Sequence, residues 1–399
     1  MGLPEAAARR PSISLIVPTY REVENLSRLI DQVEEVRTRQ GLDLEMWIID
    51  DDSRDGTDAL IARMSHDWLH LVVRTRERGL SSAVLEGMRR ARHDVLVVMD
   101  ADLSHPPDKI PELVARLDAG DDFVLGSRYA AGGATDAKWG LLRWLNSQIA
   151  TLLARPFTTA RDPMAGFFAL RRSTLEQADE LTPIGYKIGL ELIVKCRCEK
   201  VGEVPIFFTD RRQGQSKLTL AEQFRYLQHL RRLAMYKYPN FTCVAQFGLV
   251  GASGVLVNLF ILTLCELLLG FAAQGAIAAG IVVSVVSNFY LNRRFTFSYA
   301  RRRPVLPQLL GYVATCSVGL AVNYTMALAA LAYLLPSGWQ LSQLAALAGI
   351  AAGTIFDFVL SRYVVFRAPP VKPEEDSTAF PSPACLSAVS SSPTPGKLG

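Results

Sequence analysis

The sequence predicts an α/β domain built on a mostly parallel sheet, followed by an all-α domain of four transmembrane helices. Three observations support this prediction. Residues 1–235 alternate short apolar runs with polar stretches of helical spacing, which is typical of alternating strands and helices around a parallel sheet. Residues 243–366 contain long runs that are almost free of charge. The side chains best suited to chemistry directly follow the predicted strands.

Five apolar runs predict the strands of the first domain, and they cover residues 13–17, 46–49, 71–73, 95–99 and 123–125. Polar stretches of helical spacing lie between them, and Ser81 or Ser82 is the expected N-cap of the helix that runs to Arg92. In open α/β sheets, ligands bind beside the carboxyl ends of the strands. We therefore expect the loops that follow the strands to form one binding rim.

The fourth predicted strand ends in Asp100-Ala101-Asp102. Two carboxylates one residue apart can hold a hard divalent cation, whose other ligands are commonly waters and substrate phosphates. Alone, this tripeptide is weak evidence, because such sequences are common in surface turns. The acidic loop 50–57 after the second strand could simply favour a helix N-terminus. Together, the two acidic loops favour a nucleotide-binding rim.

Two later stretches could complete this site. Residues 162–168 contain an acid, a proline turn and a glycine, and residues 211–217 place Arg211, Arg212 and Lys217 around Gly214. Basic side chains that flank a glycine are suited to binding a diphosphate. The alternative for the second stretch is a basic loop beside anionic lipid.

Composition excludes several classes of protein. The net charge of +4 over 399 residues comes from local arginine clusters, so we expect no nucleic-acid partner. Six scattered cysteines predict free thiols in a reducing compartment. No apolar segment follows Met1, so no cleaved signal peptide is expected. The tail 368–399 is rich in Pro, Ser and Thr and is predicted to be disordered.

Six motifs occur in a fixed order over about residues 12–220. They are Pro18-Thr19-Tyr20-x-Glu22, Asp50-Asp51-Asp52-Ser53-x-Asp55-Gly56-Thr57, Asp100-Ala101-Asp102-Leu103-Ser104-His105-Pro106, Gly126-Ser127-Arg128-Tyr129, Val201-Gly202-Glu203-Val204-Pro205 and Arg211…Gly214-x-Ser216-Lys217-Leu218. The series resembles the dolichol-phosphate mannose synthase group of family 2 glycosyltransferases, which have a GT-A fold. This resemblance implies mannosyl transfer from GDP-mannose to a polyprenyl (dolichyl) phosphate, with inversion and with Mg²⁺ or Mn²⁺.

The resemblance also implies a role for individual residues. Those expected to frame the nucleoside are Pro18, Tyr20, Glu22, Asp50 and Asp51. The expected metal ligands are Asp100 and Asp102, with Ser104 as a further candidate at a position where some relatives carry Gln. The diphosphate would be bound by Arg211 and Lys217, and the acceptor phosphate by Arg128 and Arg143. His105 is expected to be a turn residue.

Three other functions fit parts of the sequence. The first is the same reaction with UDP-glucose, which the motifs separate poorly from the mannosyl reaction. The second is a processive polysaccharide synthase, but the Gln-x-x-Arg-Trp element usual in that class is missing. The third is a lipid-linked sugar translocase whose soluble domain only binds. The intact Asp100, Asp102, Arg211 and Lys217 argue against an inactive domain.

Four long apolar runs predict membrane spans at about 243–269, 272–291, 308–335 and 340–366, because about 20 residues cross the hydrocarbon core. Arginines precede the first run, separate the second from the third and follow the last. The positive-inside rule therefore places the catalytic domain and both termini in the cytoplasm, at the cell membrane. We expect a GT-A domain at 1–217, an amphipathic interfacial segment at 218–240 and a membrane domain at 241–367.

The membrane domain contains an internal repeat. Residues 288–297 parallel residues 357–366, and residues 254–258 parallel residues 319–323. This pattern resembles the GtrA-like membrane domain, which implies handling of polyprenyl-linked sugars. Four polar residues lie in or near the spans, namely Asn258, Asn288, Asn323 and Asp357. They predict either a functional site in the membrane or hydrogen bonds that hold the helices together.

Overall fold

A computed structural model of the chain describes residues 12–135, 141–182, 184–185, 187–209, 220–333 and 339–367. These residues form two compact units, and the chain passes from the first to the second between Lys237 and Tyr238. The tail 368–399, for which disorder is expected, lies outside the described residues.

The first unit contains a seven-stranded sheet. Its strands are β1 (Ser12–Thr19), β2 (Asp43–Asp50), β3 (Leu69–Val73), β4 (Val95–Val98), β5 (Phe123–Ser127), β7 (Phe168–Arg171) and β8 (Val201–Pro205), in the order β3-β2-β1-β4-β7-β5-β8. Two short strands, β6 (Ala134–Thr135) and β9 (Phe207–Phe208), pair separately. Only β7 runs antiparallel, to β4 and to β5. The predicted mostly parallel sheet is confirmed, and β7 and β8 are additional to the five expected strands.

Helices cover both faces of this sheet. They are α1 (Val23–Gln40), α2 (Thr57–Met64), α3 (Leu80–Arg90), α4 (Ile110–Asp118), α5 (Leu141–Ala154), α6 (Arg172–Leu175), α7 (Ile188–Lys195) and α8 (Leu220–Lys237). Leu26 of α1 and Leu113 of α4 belong to one buried cluster, and Met88 of α3 and Leu192 of α7 belong to another. The structure thus has the layers of a GT-A domain.

The prediction of a serine N-cap for α3 was wrong. Gly79 is the N-cap residue, with φ near 139°, and no side chain caps the helix. Ser82 Oγ donates to the Gly79 carbonyl oxygen, and Ser81 Oγ donates to the Gly185 carbonyl oxygen at 2.7 Å. These serines therefore tie loops together instead of satisfying the first amide groups of the helix.

Helix α8 covers most of the segment predicted to be amphipathic. Its inner face buries Leu230 and Leu233 against the first unit, and the Tyr226 hydroxyl donates to the Ala150 carbonyl oxygen of α5 at 2.7 Å. Its outer face exposes Phe224 and Leu227. The helix is therefore amphipathic, and its buried face packs against the first unit.

The second unit contains α9 (Pro239–Leu267), α10 (Ala273–Leu291), α11 (Val305–Tyr333) and α12 (Trp339–Leu360). In the described part of the chain, four helices are long and apolar enough to cross a membrane, as predicted, although their starts differ from the expected ones by one to four residues. A π-helical turn follows α10 at 292–296 and α12 at 361–365. The two turns occupy equivalent places in the predicted repeat.

The helices form two hairpins, α9–α10 and α11–α12, with the same internal contacts. Each hairpin sets two polar side chains against two glycines, and the pairs are Asn258 with Gly280, Asn288 with Gly254, Asn323 with Gly349, and Asp357 with Gly319. Glycine at these positions allows the helices to approach closely, as is common in membrane proteins. The internal repeat therefore extends from the sequence to the packing of the helices.

We expect Gly349→Ala to destabilise the second hairpin. A methyl group at Gly349 would lie 2.5 Å from Asn323 Oδ1 and even closer to the Asn323 carbonyl oxygen, which is backbone and cannot rotate away. Such overpacking costs about 1–3 kcal/mol. Thermal unfolding of the full chain in detergent would measure the loss. Gly251→Ala is the matched control, because no heavy atom lies within 4 Å of that position. Equal stability of the two variants would contradict this assignment.

Candidate active site

The carboxyl ends of four strands meet at one edge of the sheet. Strands β1, β2 and β4 are parallel, and β5 runs in the same direction because β7 is antiparallel to both β4 and β5. The loops after these strands hold Tyr20, Asp51, Asp100 and Arg128. The predicted rim therefore exists, and it is the place where ligands bind in open α/β sheets.

Backbone strain is concentrated in the same loops. Among the described residues, six non-glycine residues have a positive φ, and four of them follow β1, β2 or β4, namely Arg21 (59°), Asp52 (56°), Arg54 (53°) and Leu103 (63°). Such conformations cost free energy and are common at functional sites. Their position independently marks this rim as the functional part of the first unit.

The β1 loop presents an aromatic ring to solvent. Tyr20 is 40% exposed, and the guanidinium carbons of Arg21 and Arg78 lie 5.3 Å and 5.7 Å from its ring centroid. Glu22 accepts a hydrogen bond from Asn25 Nδ2 at 2.7 Å. Pro18 is buried within β1. Tyr20 thus provides a surface on which a planar base can stack, whereas Pro18 belongs to the buried end of the strand that precedes the loop.

Asp50 and Asp51 are buried and organise the neighbouring loops. Both carboxylate oxygens of Asp50 accept hydrogen bonds from Ser53. Asp51 accepts from the Gly79 backbone N–H at 2.7 Å and from Arg74 Nε at 2.8 Å. Asp50 therefore fixes the acidic loop after β2, and Asp51 joins that loop to the start of α3.

Asp100 and Asp102 stand at the end of β4. Asp102 is buried, whereas the Asp100 side chain is 26% exposed. A Cβ atom at Gly166 would lie 3.1 Å from Asp100 Oδ2. Glycine at position 166 thus lets the 162–166 loop lie directly against the Asp100 carboxylate, which remains partly accessible to solvent.

Ser104 and His105 support the two carboxylates. Asp102 Oδ1 accepts hydrogen bonds from Ser104 Oγ at 2.5 Å and from the Ser104 N–H at 3.1 Å. The Asp100 N–H donates to Nδ1 of His105, which is buried and stacked on Phe167. Because Nδ1 accepts this hydrogen bond, it is not a donor to Asp100 Oδ2, which lies 3.9 Å away. His105 is in a turn, as expected, and it also fixes the Asp100 backbone.

The donor set fits Mg²⁺ or Mn²⁺. Among the described residues, no group of three or more His, Cys, Asp or Glu side chains could hold a metal ion. Two carboxylates and an adjacent hydroxyl supply only oxygen, and Mg²⁺ is commonly held by one or two carboxylates, with waters and substrate phosphates as its other ligands. The partial exposure of the Asp100 side chain agrees with this chemistry, because waters and substrate phosphates can reach it.

Arg128 and Asp162 form a buried ion pair beyond the carboxylates. Arg128 Nε and Nη2 each donate to a different Asp162 oxygen at 2.7 Å, and the Arg128 N–H adds a third bond at 3.1 Å. Asp162 is fully buried, and its own N–H donates to Glu203 Oε1 of β8. Burial lowers the pKa of Arg128, but the bonds to Asp162 outweigh this and raise the pKa above its ordinary value. Arg128 therefore remains a fixed cation.

The structure brings nine of the predicted site residues to this rim, namely Pro18, Tyr20, Glu22, Asp50, Asp51, Asp100, Asp102, Ser104 and Arg128. Arg211 and Lys217 lie outside the described residues. Arg143 belongs to α5, but its side chain is likewise outside the description.

Sequence reasoning missed several residues that shape the site. Arg74 and Glu203 position loop atoms through hydrogen bonds. Arg74 lies in none of the six motifs, whereas Glu203 lies in the fifth, to which no role was given. Asp162 was noticed only as an acid before a proline. Lys187 directly precedes α7 and interacts electrostatically with Asp100 and Asp162. Its only signal was a lysine directly before a mostly apolar stretch, 188–194, that contains one further charge, Glu191.

Two family models match the chain. Glycosyl transferase family 2 matches residues 14–178, and the GtrA/DPMS transmembrane domain matches residues 246–366. The first match covers the strands and loops of the rim, except β8 and β9. The second covers most of the four apolar helices and both π-helical turns.

Three curated relatives are similar over much of their length. Dolichol-phosphate mannosyltransferase of Pyrococcus furiosus is 38% identical over 317 residues, which is 78% of this chain and 88% of the relative. The Saccharomyces cerevisiae protein of the same name is 39% identical over 235 residues, covering 56% and 88%. Polyprenol monophosphomannose synthase of Mycolicibacterium smegmatis is 36% identical over 217 residues, covering 51% and 80%.

Proposed function

This chain belongs to the dolichol-phosphate mannosyltransferases of glycosyltransferase family 2, and we propose that it transfers mannose from GDP-mannose to the phosphate of a polyprenyl phosphate such as dolichyl phosphate. The rim supports this proposal most directly, because the Asp100–Asp102 pair stands among the loops that hold Tyr20, Asp51 and Arg128. The relatives favour this reaction over a UDP-glucose transferase or a binding-only translocase.

The donor would bind on the side of β1 and β2. We propose that Tyr20, Glu22 and Asp51 face the nucleoside, while Pro18 and Asp50 shape the wall behind it. Asp100 and Asp102 would hold Mg²⁺ or Mn²⁺, with Ser104 orienting Asp102 and available as a further ligand. A bound divalent cation would supply charge neutralisation at the diphosphate leaving group. In this proposal, Arg211 and Lys217 bind the same diphosphate.

The acceptor would bind on the side of Arg128 and Arg143. A phosphate monoester is already ionised near neutral pH, so it needs no strong general base. One of its oxygens attacks the anomeric carbon in line, and a carbon–oxygen bond forms to the acceptor as the bond to the diphosphate breaks. GDP leaves with the electron pair, and the anomeric configuration inverts. The side chains of the site align these groups and neutralise their charge.

The chain is a membrane protein, and four helices in its described part are long and apolar enough to span the bilayer. We propose that the first unit and both termini are cytoplasmic, because the arginines between α10 and α11 and beside the ends of the unit favour that side. Helix α8 ends at Lys237, two residues before α9 begins. The exposed Phe224 of α8 and the exposed Trp144 and Leu152 of α5 suit the headgroup region.

A donor screen tests the proposed reaction. The purified full chain in detergent would receive polyprenyl phosphate, Mg²⁺ or Mn²⁺, and GDP-mannose, UDP-glucose or UDP-galactose in separate reactions. We expect lipid-linked sugar only with GDP-mannose and only while the metal is present. Chromatography of the extracted lipid detects the product, and addition of EDTA is the control for the metal.

The other outcomes separate the competing functions. Product only from a UDP-sugar would overturn the donor assignment but leave the acceptor and the metal site in place. Nucleotide binding without product from any donor would overturn the transferase assignment and favour the translocase.

A further inference from the structure

Lys187 is held in place at the start of a buried helix. Every residue of α7, which begins at Ile188, is buried. Two residues before Lys187, the Gly185 carbonyl oxygen accepts a hydrogen bond from Ser81 Oγ of α3 at 2.7 Å. Two residues after it, a Cβ atom at Gly189 would lie 3.5 Å from the Ala165 carbonyl oxygen. The backbone around Lys187 is therefore fixed beside the loop that contains Asp162 and Gly166.

The ammonium group of Lys187 lies among the charges of the site. It interacts electrostatically with the carboxylates of Asp100, Asp162 and Glu222, and also with the Arg128 guanidinium group. Burial and the nearby Arg128 lower the pKa of Lys187. Arg128 is committed to Asp162 through two side-chain hydrogen bonds, so it offers few further donors to a ligand. An anionic ligand beside Lys187 would favour the protonated ammonium form, which could then bind it.

The charges of the described residues leave room for a further cation. The carboxylates of Asp100, Asp102 and Asp162 carry three negative charges, and the one positive charge of Arg128 is committed to Asp162. The proposed substrates would bring a diphosphate and a phosphate, so they need cations beyond Arg128, and Lys187 would be one of them beside the basic residues already proposed. A further cation between the donor side and the acceptor side of the site would attract the acceptor phosphate. An ammonium group on a flexible stem can follow that phosphate as it approaches.

We propose that Lys187 is a further catalytic residue, whose ammonium group binds the acceptor phosphate between Asp100 and the Arg128–Asp162 pair. This inference rests on the proposed function, since it requires a phosphate acceptor. The position favours the acceptor phosphate over the nucleoside, because Lys187 lies beside Asp162 and Arg128, whereas Tyr20 and Asp51 follow strands on the other side of β4.

The variants Lys187→Met and Lys187→Arg test this role in the full chain, with GDP-mannose, polyprenyl phosphate and Mn²⁺. Loss of one hydrogen bond to a charged group lowers kcat/KM for the acceptor about 10- to 100-fold. We expect that loss in Lys187→Met, partial recovery in Lys187→Arg, and an unchanged Kd for GDP in the presence of Mn²⁺. Lys195→Met is the matched control, because it removes the buried lysine at the other end of α7.

The outcomes separate this inference from the proposed function. An active wild-type enzyme with an unchanged acceptor kcat/KM in Lys187→Met would overturn the inference alone. A weaker Kd for GDP with unchanged acceptor kinetics would also overturn it and place Lys187 on the donor side. An equal loss in Lys195→Met and in Lys187→Met would also overturn the inference, because the loss would then come from disturbed packing of α7. A wild-type enzyme that transfers no sugar to polyprenyl phosphate would overturn the proposed function, and the inference with it.

Discussion

Asp102→Ala is expected to abolish mannosyl transfer while the protein remains folded. The substitution removes one of the two carboxylates proposed to hold the metal, and with it the acceptor of both Ser104 hydrogen bonds. A metal ion supplies several kcal/mol of transition-state stabilisation, and each 1.36 kcal/mol corresponds to a tenfold change in rate. We therefore expect kcat/KM to fall about 1000-fold or more, measured with GDP-mannose and polyprenyl phosphate.

The matched control is Asp108→Ala, which removes an exposed carboxylate six residues further along the chain, in the 3₁₀ turn at 107–109. It should keep near-normal turnover. Binding of GDP should be strengthened by Mn²⁺ in the wild type and in Asp108→Ala, but not in Asp102→Ala. Near-normal turnover of Asp102→Ala would refute the metal assignment, whereas a large fall in its Tm would mean that Asp102 acts mainly on stability.

Asp162→Asn is expected to be the most destabilising conservative substitution in the rim. The carboxylate is fully buried and neutralises Arg128, whose side chain is only 12% exposed. Removing one partner of a buried ion pair costs about 3–5 kcal/mol, because the other charge remains buried without compensation. For a unit of this size, that loss lowers Tm by about 6–20 °C. Thermal unfolding of the full chain, followed through the transition of the first unit, would measure it.

Asp118→Asn is the control for this experiment, since Asp118 forms an exposed ion pair with Arg171. Such pairs contribute about 1 kcal/mol or less. Comparable shifts in Tm for the two variants would show that burial of the Arg128–Asp162 pair is energetically unimportant. Asp162→Asn should also lose acceptor turnover, because Arg128 would no longer be fixed in place.

The features that followed from local patterns were predicted well. Short apolar runs of three to five residues identified five of the strands, and the rule that loops after parallel strands share an edge placed Asp51, Asp100 and Arg128 on one rim. The length of the four nearly uncharged runs identified the four apolar helices. The repeat was visible because residues 254–258 and 319–323 retain their spacing.

The features that depend on distant partners were not predicted. Strand β7 was missed because Phe168–Arg171 follows a loop that had been interpreted as part of the site. Arg128 was interpreted from its motif as a ligand for phosphate, yet Asp162, 34 residues away, occupies two of its N–H groups. Lys187 lies in no motif, and its proposed role follows only from the packing of α7 beside the 162–167 loop.

Local competition for hydrogen bonds explains the smaller differences. Ser81 and Ser82 were expected to cap α3, but both donate to carbonyl groups of loops. Ser104 was considered as a metal ligand, and in the structure its hydroxyl donates to Asp102. The acceptor of a serine hydroxyl depends on which oxygen the fold places beside it, and the sequence around the serine does not specify this oxygen.

The reversed strand β7 has a consequence for how this enzyme can be changed. Because β7 lies between β4 and β5 and runs against both, the loop before it reaches the rim between them, where Gly166 flanks Asp100 and Asp162 fixes Arg128. In the proposed mechanism, one short loop would thus serve both substrates. Exchanging it to recruit a new lipid would also disturb the proposed metal ligands, so donor and acceptor preferences could not be redesigned there as independent modules. Engineering should instead begin at positions outside this loop, such as Tyr20. Its ring is exposed and belongs only to the proposed donor side of the site.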